Sequence, residues 1–166
     1  MKIIETRLTE KEFINASMVI VFRKRITYIF PAIGIVLLLI NLTNPSKSMS
    51  IAGVLLGPVI YLVLFSAIIP LLTYIHAKRI YNARSSRAKE KILYEFDDKR
   101  LSIKGESFEA NLSWEKIYKV TLTKNWLFIY QNSNYANPIP KNSIWEGELM
   151  KLKEILDAKN VKHNLN

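Results

Sequence analysis

The chain's pattern predicts a membrane α+β protein, a two-helix transmembrane hairpin joined to a cytoplasmic antiparallel β domain that a final helix caps. Three observations predict it. Residues 26–46 contain no Asp, Glu, Lys, Arg or His, and residues 48–77 contain only His76. Stretches of roughly 18 or more such residues can cross a hydrocarbon core about 30 Å thick, where only a helix satisfies its own backbone. From Ile92 onward the apolar spacing changes from helical to alternating, the signature of half-buried strands.

The polar, helix-breaking segment Asn41-Leu42-Thr43-Asn44-Pro45-Ser46-Lys47-Ser48 separates the two apolar runs, so the spans, about 26–43 and 51–76, form a tight antiparallel pair. Both ends of the chain then lie on one side. The net charge of +10 is concentrated beside these runs. Arg23, Lys24 and Arg25 precede the first, and Lys78, Arg79, Arg84, Arg87, Lys89 and Lys91 follow the second, whereas the loop holds Lys47 alone. This asymmetry orients both termini toward the cytoplasm and predicts a multi-pass plasma-membrane protein. It also removes the case for a nucleic-acid partner. The residues Arg23, Lys24, Arg25, Lys78, Arg79, Arg84 and Arg87 are candidate contacts for anionic lipid headgroups, or ordinary topogenic charge.

Before the spans, Lys2-Ile3-Ile4-Glu5-Thr6 reads as a short strand, and Thr9-x-x-Glu12 has the spacing of a capping box that opens a helix. That helix carries Phe13, Ala16, Ile20 and Lys24 on one stripe and is expected to run to the membrane. Some 25 residues of mixed polarity precede the apolar run, and no small-residue cleavage site follows it, so a cleaved signal peptide is not expected. Within the spans, Gly34 offers a close-approach surface, and Gly53 and Gly57 form a small-xxx-small pair suited to packing on the first span or on a second copy. Pro58 and Pro70 are expected to bend the second span. Tyr28, Tyr74 and Tyr81 lie where an interfacial aromatic belt falls.

Residues 78–90 form a basic connector that continues the second helix and frays near Ser85 and Ser86. The β domain, 91–160, shows short apolar runs at 92–96, 101–104, 108–114, 117–123 and 126–130, separated by turns such as Asp97-Asp98-Lys99 and Lys124-Asn125. Pro138 and Pro140 mark an irregular or edge strand. Ser143-x-x-Glu146 reads as a second capping box, ahead of a helix with Trp145, Leu149, Leu152 and Leu156 on one face. Residues 161–166 read as a polar tail with a solvated His163.

The stretch Leu112-Ser113-Trp114-Glu115-Lys116-Ile117-Tyr118-Lys119-Val120, then Ile139-Pro140-Lys141 and the final helix, together with the opening Leu8-Thr9-Glu10-Lys11-Glu12-Phe13, resembles the YcxB-like family of bacterial membrane proteins. The resemblance implies that the β domain is pleckstrin-homology-like. It transfers no catalytic or cofactor residues, and the connector is more basic than the family pattern implies.

The chain has no cysteine, which excludes disulfides and thiolate chemistry. Asp97-Asp98 fits a hairpin turn better than an acid/base pair, and His76 fits an interfacial ring. Trp114, Trp126 and Trp145 are read as core residues rather than stacking platforms. Without a nucleophile–base pair or metal cluster, no enzyme activity, cofactor or metal is expected, and spans that hold no Asp, Glu, Arg or Lys do not read as a transport path. The expectation is a membrane-anchored binding or scaffold module with an unidentified protein partner. The alternative is a small subunit of an export or self-protection system acting through its helices, and a homo-oligomer is compatible with either.

Overall fold

The structure, a computed structural model, describes residues 2–43 and 51–165. The turn expected at 41–48 lies largely outside them. In order, the elements are β1 (Lys2–Thr6), α1 (Glu10–Phe22), α2 (Ile29–Thr43), α3 (Ile51–Asn82), β2 (Ile92–Phe96), β3 (Arg100–Lys104), β4 (Glu109–Ser113), β5 (Lys119–Leu122), β6 (Trp126–Tyr130), β7 (Ala136–Pro140) and α4 (Glu146–Ala158). They group into two compact units: the chain up to Ala16 together with everything from Ile80, and the stretch Ser17–Arg79 between them.

The first unit is the β domain, and it includes the start of the chain. β1 pairs antiparallel with β2 from Lys2↔Phe96 to Thr6↔Ile92, and β2, β3 and β4 continue as a meander, giving a four-stranded sheet in the order β1-β2-β3-β4. β5, β6 and β7 form a second antiparallel sheet. Strands whose apolar residues alternate point one face inward. Ile4, Tyr94, Phe96, Leu101 and Ile103 from the first sheet thus meet Val120, Leu127, Ile129 and Ile139 from the second. Leu152, Ile155 and Leu156 of α4 enter the same cluster, so the final helix closes a core shared by both sheets. β7, which contains Pro138 and Pro140, lies at a sheet edge, where a missing donor does not interrupt a ladder.

β6 departs from simple alternation, since all five residues of Trp126-Leu127-Phe128-Ile129-Tyr130 are buried. Leu127 and Ile129 face the shared core. On the other face Trp126, Phe128 and Tyr130 form a row of rings with successive centroids 6.2 Å apart. The Trp126 indole N–H donates to Asn15 Oδ1 of α1 (3.3 Å), which brings the start of that helix against this outer face. α1 itself opens as its sequence dictates. Glu12 accepts from the Thr9 amide and hydroxyl (both 2.8 Å), and the Glu12 amide donates back to Thr9 Oγ1 (3.3 Å).

Trp114 is 2 % exposed, and its indole N–H donates to the Asp97 carbonyl (2.9 Å). Trp145, in contrast, is 82 % exposed, which overturns its expected place in the core. The expected capping box at Ser143 is also not the one formed. α4 starts later, Trp145 is its N-cap, and the Glu148 carboxylate accepts the Trp145 amide (3.0 Å), which secures the backbone while the ring points to solvent. Residues 161–165 are likewise not a solvated tail, for Val161 and Leu165 join the core cluster.

The second unit contains the two apolar helices. α1 stops at Phe22 rather than running on, because Lys24 adopts an extended backbone (φ −79°, ψ 130°) before a 3-10 turn at Arg25–Tyr28. At this break the Thr27 hydroxyl donates to Val21 O (2.6 Å), which also accepts the Lys24 amide (3.1 Å), and the Tyr28 hydroxyl donates to Phe22 O (2.7 Å). α3 stays helical through Pro58 and Pro70. Phe30 stacks on Phe65 (centroids 5.2 Å), and Gly34 faces Tyr61 and Leu62. Positions rising along α2 therefore meet positions falling along α3, so the two are antiparallel.

Replacing Trp114 with alanine should cost about 3–5 kcal/mol, the usual range for a buried large aromatic. Trp145→Ala should stay within about 0.5 kcal/mol. Denaturant unfolding in detergent measures both. Burial pushes the Tyr94 phenol well above its ordinary value. Above pH about 10 the unfolded chain loses this proton while the folded chain keeps it, so stability should fall as pH rises, by up to about 1.4 kcal/mol per pH unit. Tyr94→Phe should reduce that slope, as unfolding measured from pH 9 to 11 will show.

Candidate functional site

The basic and aromatic residues that bracket the apolar helices are the surface with the clearest chemical character. On the entering side, Arg23 and Arg25 are exposed and Lys24 is half-buried at the break between α1 and the 3-10 turn, with Tyr28 exposed one turn on. On the returning side, Lys78 and Arg79 are exposed on the last turns of α3, and the Lys78 ammonium lies 5.7 Å from the Tyr74 ring. His76 is exposed on the same helix.

Arg84 and Arg87 do not share a helix face as their spacing suggests. α3 ends at Asn82, leaving Arg84 in an irregular segment, and Arg87 begins a 3-10 turn at Arg87–Lys89. The reason is tertiary. The connector is fastened to the β domain, which dictates its path. The Arg87 guanidinium sits 5.0 Å from the Phe108 ring. The Glu90 carboxylate accepts the Ser107 hydroxyl and the Ser107 amide (2.9 Å), and these bonds hold its carboxyl below the usual carboxylate range. Arg87 is thus committed in part to the β3–β4 turn, while Arg84 remains exposed.

The other end of the connector is fastened to the start of the chain. The Tyr81 hydroxyl donates to the Leu8 carbonyl (3.1 Å), Phe13 packs against Tyr81 (centroids 6.0 Å), and Asn82 donates to Glu10 (3.4 Å). Arg7 Nε donates to the Lys89 carbonyl (3.3 Å), and Lys91 pairs with Glu5 (2.8 Å). Arg7 thus lies beside the connector, a placement that linear spacing could not reveal, since it is 82 positions from its partner.

Asp97 forms a turn. Its carboxylate accepts the amides of Lys99 (2.7 Å) and Arg100 (2.9 Å), which hold its carboxyl below the usual range. Among the described residues no three His, Cys, Asp or Glu side chains converge as a metal site would require. Of the two glycines proposed for helix packing, Gly53 has no described surroundings, and a Cβ built at Gly57 meets no heavy atom within 4 Å. The close approach within this unit is at Gly34, where a Cβ would come 2.5 Å from Leu62 Cδ2 and 2.8 Å from Tyr61 Cδ1.

Residues 96–156 match the sequence model of the YcxB-like protein family. This stretch is a YcxB-like segment. It runs from the end of β2 through β3 to β7 and most of α4, so it takes in the shared core and leaves out β1 and the apolar helices. Within the YcxB-like segment, Trp114 and Ile117 are both buried, giving the Ser-Trp-x-x-Ile pattern a packing role. Comparison with curated proteins and with solved structures finds no match.

Gly34→Val should weaken the contact between α2 and α3 by about 1–3 kcal/mol, the usual cost of overpacking, whereas Gly57→Val should leave it unchanged. The yield of cross-linking between cysteines substituted for Phe30 and Phe65 reports the difference.

Proposed function

We propose that the chain is a non-enzymatic, membrane-anchored binding or scaffold module, with α2 and α3 crossing the plasma membrane and the β domain held at the cytoplasmic face. One observation carries this reading. The two apolar helices are almost wholly exposed, with only 11 % and 6 % of their most apolar stretches buried. A helix that is apolar on every side and exposed on every side is not the core helix of a water-soluble protein. Each fully exposed Leu, Ile or Phe forgoes about 1.5–3 kcal/mol of burial, and a bilayer supplies that burial without a protein partner.

The orientation rests on the charges. In sequence, cations gather just before α2 and at and after the end of α3, and Lys47 is the sole charged residue between the two helices. In this reading the exposed cations that flank the two helices in sequence, Arg23, Arg25, Lys78, Arg79 and Arg84, are the ones that would meet anionic lipid headgroups, each worth about 1 kcal/mol near such a surface. The four-plus-three arrangement of antiparallel strands closed by one helix supports the pleckstrin-homology-like reading of the domain. A tether of this kind raises the effective concentration of a membrane-bound partner, so a weak site is occupied.

Cysteine scanning on the otherwise cysteine-free chain tests the topology. Ser46→Cys should react with an impermeant thiol reagent on intact cells, and Ser133→Cys, in an exposed turn of the β domain, should react only after lysis. Reaction of the second in intact cells would overturn the cytoplasmic placement.

A further inference from the structure

β4 is the last strand of its sheet, and its outer edge is open. The Gly105 amide donates to the Phe108 carbonyl (2.8 Å), which closes the β3–β4 hairpin, and from that pair bonded and non-bonded partners alternate along an antiparallel ladder. The main-chain groups of Ala110 and Leu112 therefore face Ile103 and Leu101 of β3, while those of Glu109, Asn111 and Ser113 point away from the sheet. Among the described residues none is hydrogen-bonded to these outward groups. Glu109 and Asn111 are exposed, and Ala110, Leu112 and Ser113 are half-buried. Both edges of the second sheet, in contrast, are closed: the Lys162 carbonyl accepts the Val120 amide and the Asn164 side chain accepts the Leu122 amide along β5, and β7 carries Pro138 and Pro140. A free edge is a template for another strand, which is why proteins cover or interrupt theirs in these ways. β4 has no proline, and no described segment covers it.

The strand Glu109-Ala110-Asn111-Leu112-Ser113 is complementary to itself. Laid antiparallel on a second β4 with Asn111 opposite Asn111, it sets Glu109 opposite Ser113 and Ala110 opposite Leu112. All the outward main-chain groups of one copy then meet those of the other, giving about six hydrogen bonds. On the core side of the sheet the large Leu112 meets the small Ala110 at both ends of the contact. On the other side the two Asn111 amides, each a donor and an acceptor, face one another. The exposed Arg100 of β3 lies beside Ser113, and so short a side chain lets the guanidinium reach the second copy's Glu109. No like charges are opposed at any of these pairs. We propose that the chain forms a twofold dimer through β4, the two sheets joining edge to edge into one. Because the same patch is used by both copies, the contact closes on itself and yields a dimer instead of a fibre. An edge of five residues is a small contact, so the dimer is weak and forms reversibly as concentration rises. Every residue of the contact belongs to the β domain, which separates it from any packing between apolar helices.

Sedimentation of the full chain in density-matched detergent tests the pairing. The unaltered chain should pass from monomer to dimer as its concentration is raised. Ser113→Glu sets two carboxylates against each other at both ends of the contact and leaves the β3 ladder in place, so it should weaken the dimer about tenfold or more. Adding Glu109→Lys to that variant puts a cation opposite each new carboxylate and should restore the dimer, a rescue that a merely structural role for Ser113 would not give. On the otherwise cysteine-free chain, Asn111→Cys should form a disulfide-linked dimer under mild oxidation, since opposed positions of a bonded strand pair lie within disulfide reach. Ser133→Cys, in an exposed turn, should not. A chain that stays monomeric throughout overturns the proposal, as does a dimer that survives Ser113→Glu unchanged. Should Ser113→Glu lose its cooperative melt, the two cysteine variants decide: cross-linking of Ser133→Cys equal to that of Asn111→Cys overturns the pairing, and cross-linking confined to Asn111→Cys supports it.

Discussion

The antiparallel pairing of Lys2–Thr6 with Ile92–Phe96 is the constraint on which the rest depends. It joins the first strand of the β domain to the second across the whole apolar insertion, so the chain must leave the domain after β1 and return to it before β2. The contacts of Tyr81 and Asn82 with Leu8, Glu10 and Phe13 hold the points of exit and return side by side. In the proposed membrane-anchored reading this requires an even number of crossings, which two helices would supply. A long insertion of this kind is tolerated because the entropy of closing a loop grows only slowly with its length, by about 0.6 kcal/mol per doubling.

The same pairing explains why the start of α1 is packed. Once β1 is in place, the chain has only Arg7, Leu8 and Thr9 before the helix begins. α1 therefore starts close to the domain, and Asn15 reaches the indole of Trp126. A strand as apolar as Trp-Leu-Phe-Ile-Tyr needs cover on both faces. The shared core covers Leu127 and Ile129, and α1 contributes to the cover of Trp126. The cost of the unusual composition of β6 is thus met by an element from the other end of the sequence. A fragment beginning near Arg79 would lack both β1 and this cover.

The connector shows how tertiary contacts redirect charge. A run of six basic residues at 78–91 suggests a single cationic stripe. In the folded chain the run is divided. Lys78 and Arg79 extend from α3, Arg87 stacks on Phe108, Lys91 pairs with Glu5, and Glu90 is bound by Ser107. Exposed pairs of this type contribute little to stability individually. Their effect is to set the path of the backbone, and so which cations stay exposed.

The sequence by itself determined whatever depends on local pattern. Uninterrupted apolar runs specify α2 and α3, alternation specifies β2 through β6 with near-correct limits, Thr9 and Glu12 start α1, and paired prolines mark β7 as an edge. These follow from backbone hydrogen bonding and side-chain period, which act over a few residues. Only the tertiary structure decided the break at Lys24, the exposure of Trp145, the separation of Arg84 from Arg87, the recruitment of Arg7 and the burial of Val161 and Leu165. Each of these turns on a partner distant in sequence or on where a helix cap falls by one or two positions. Residues 160–165 illustrate the point: with two aliphatics among polar neighbours they carry no periodic signal, and their conformation is selected by the β5 edge and α4 together.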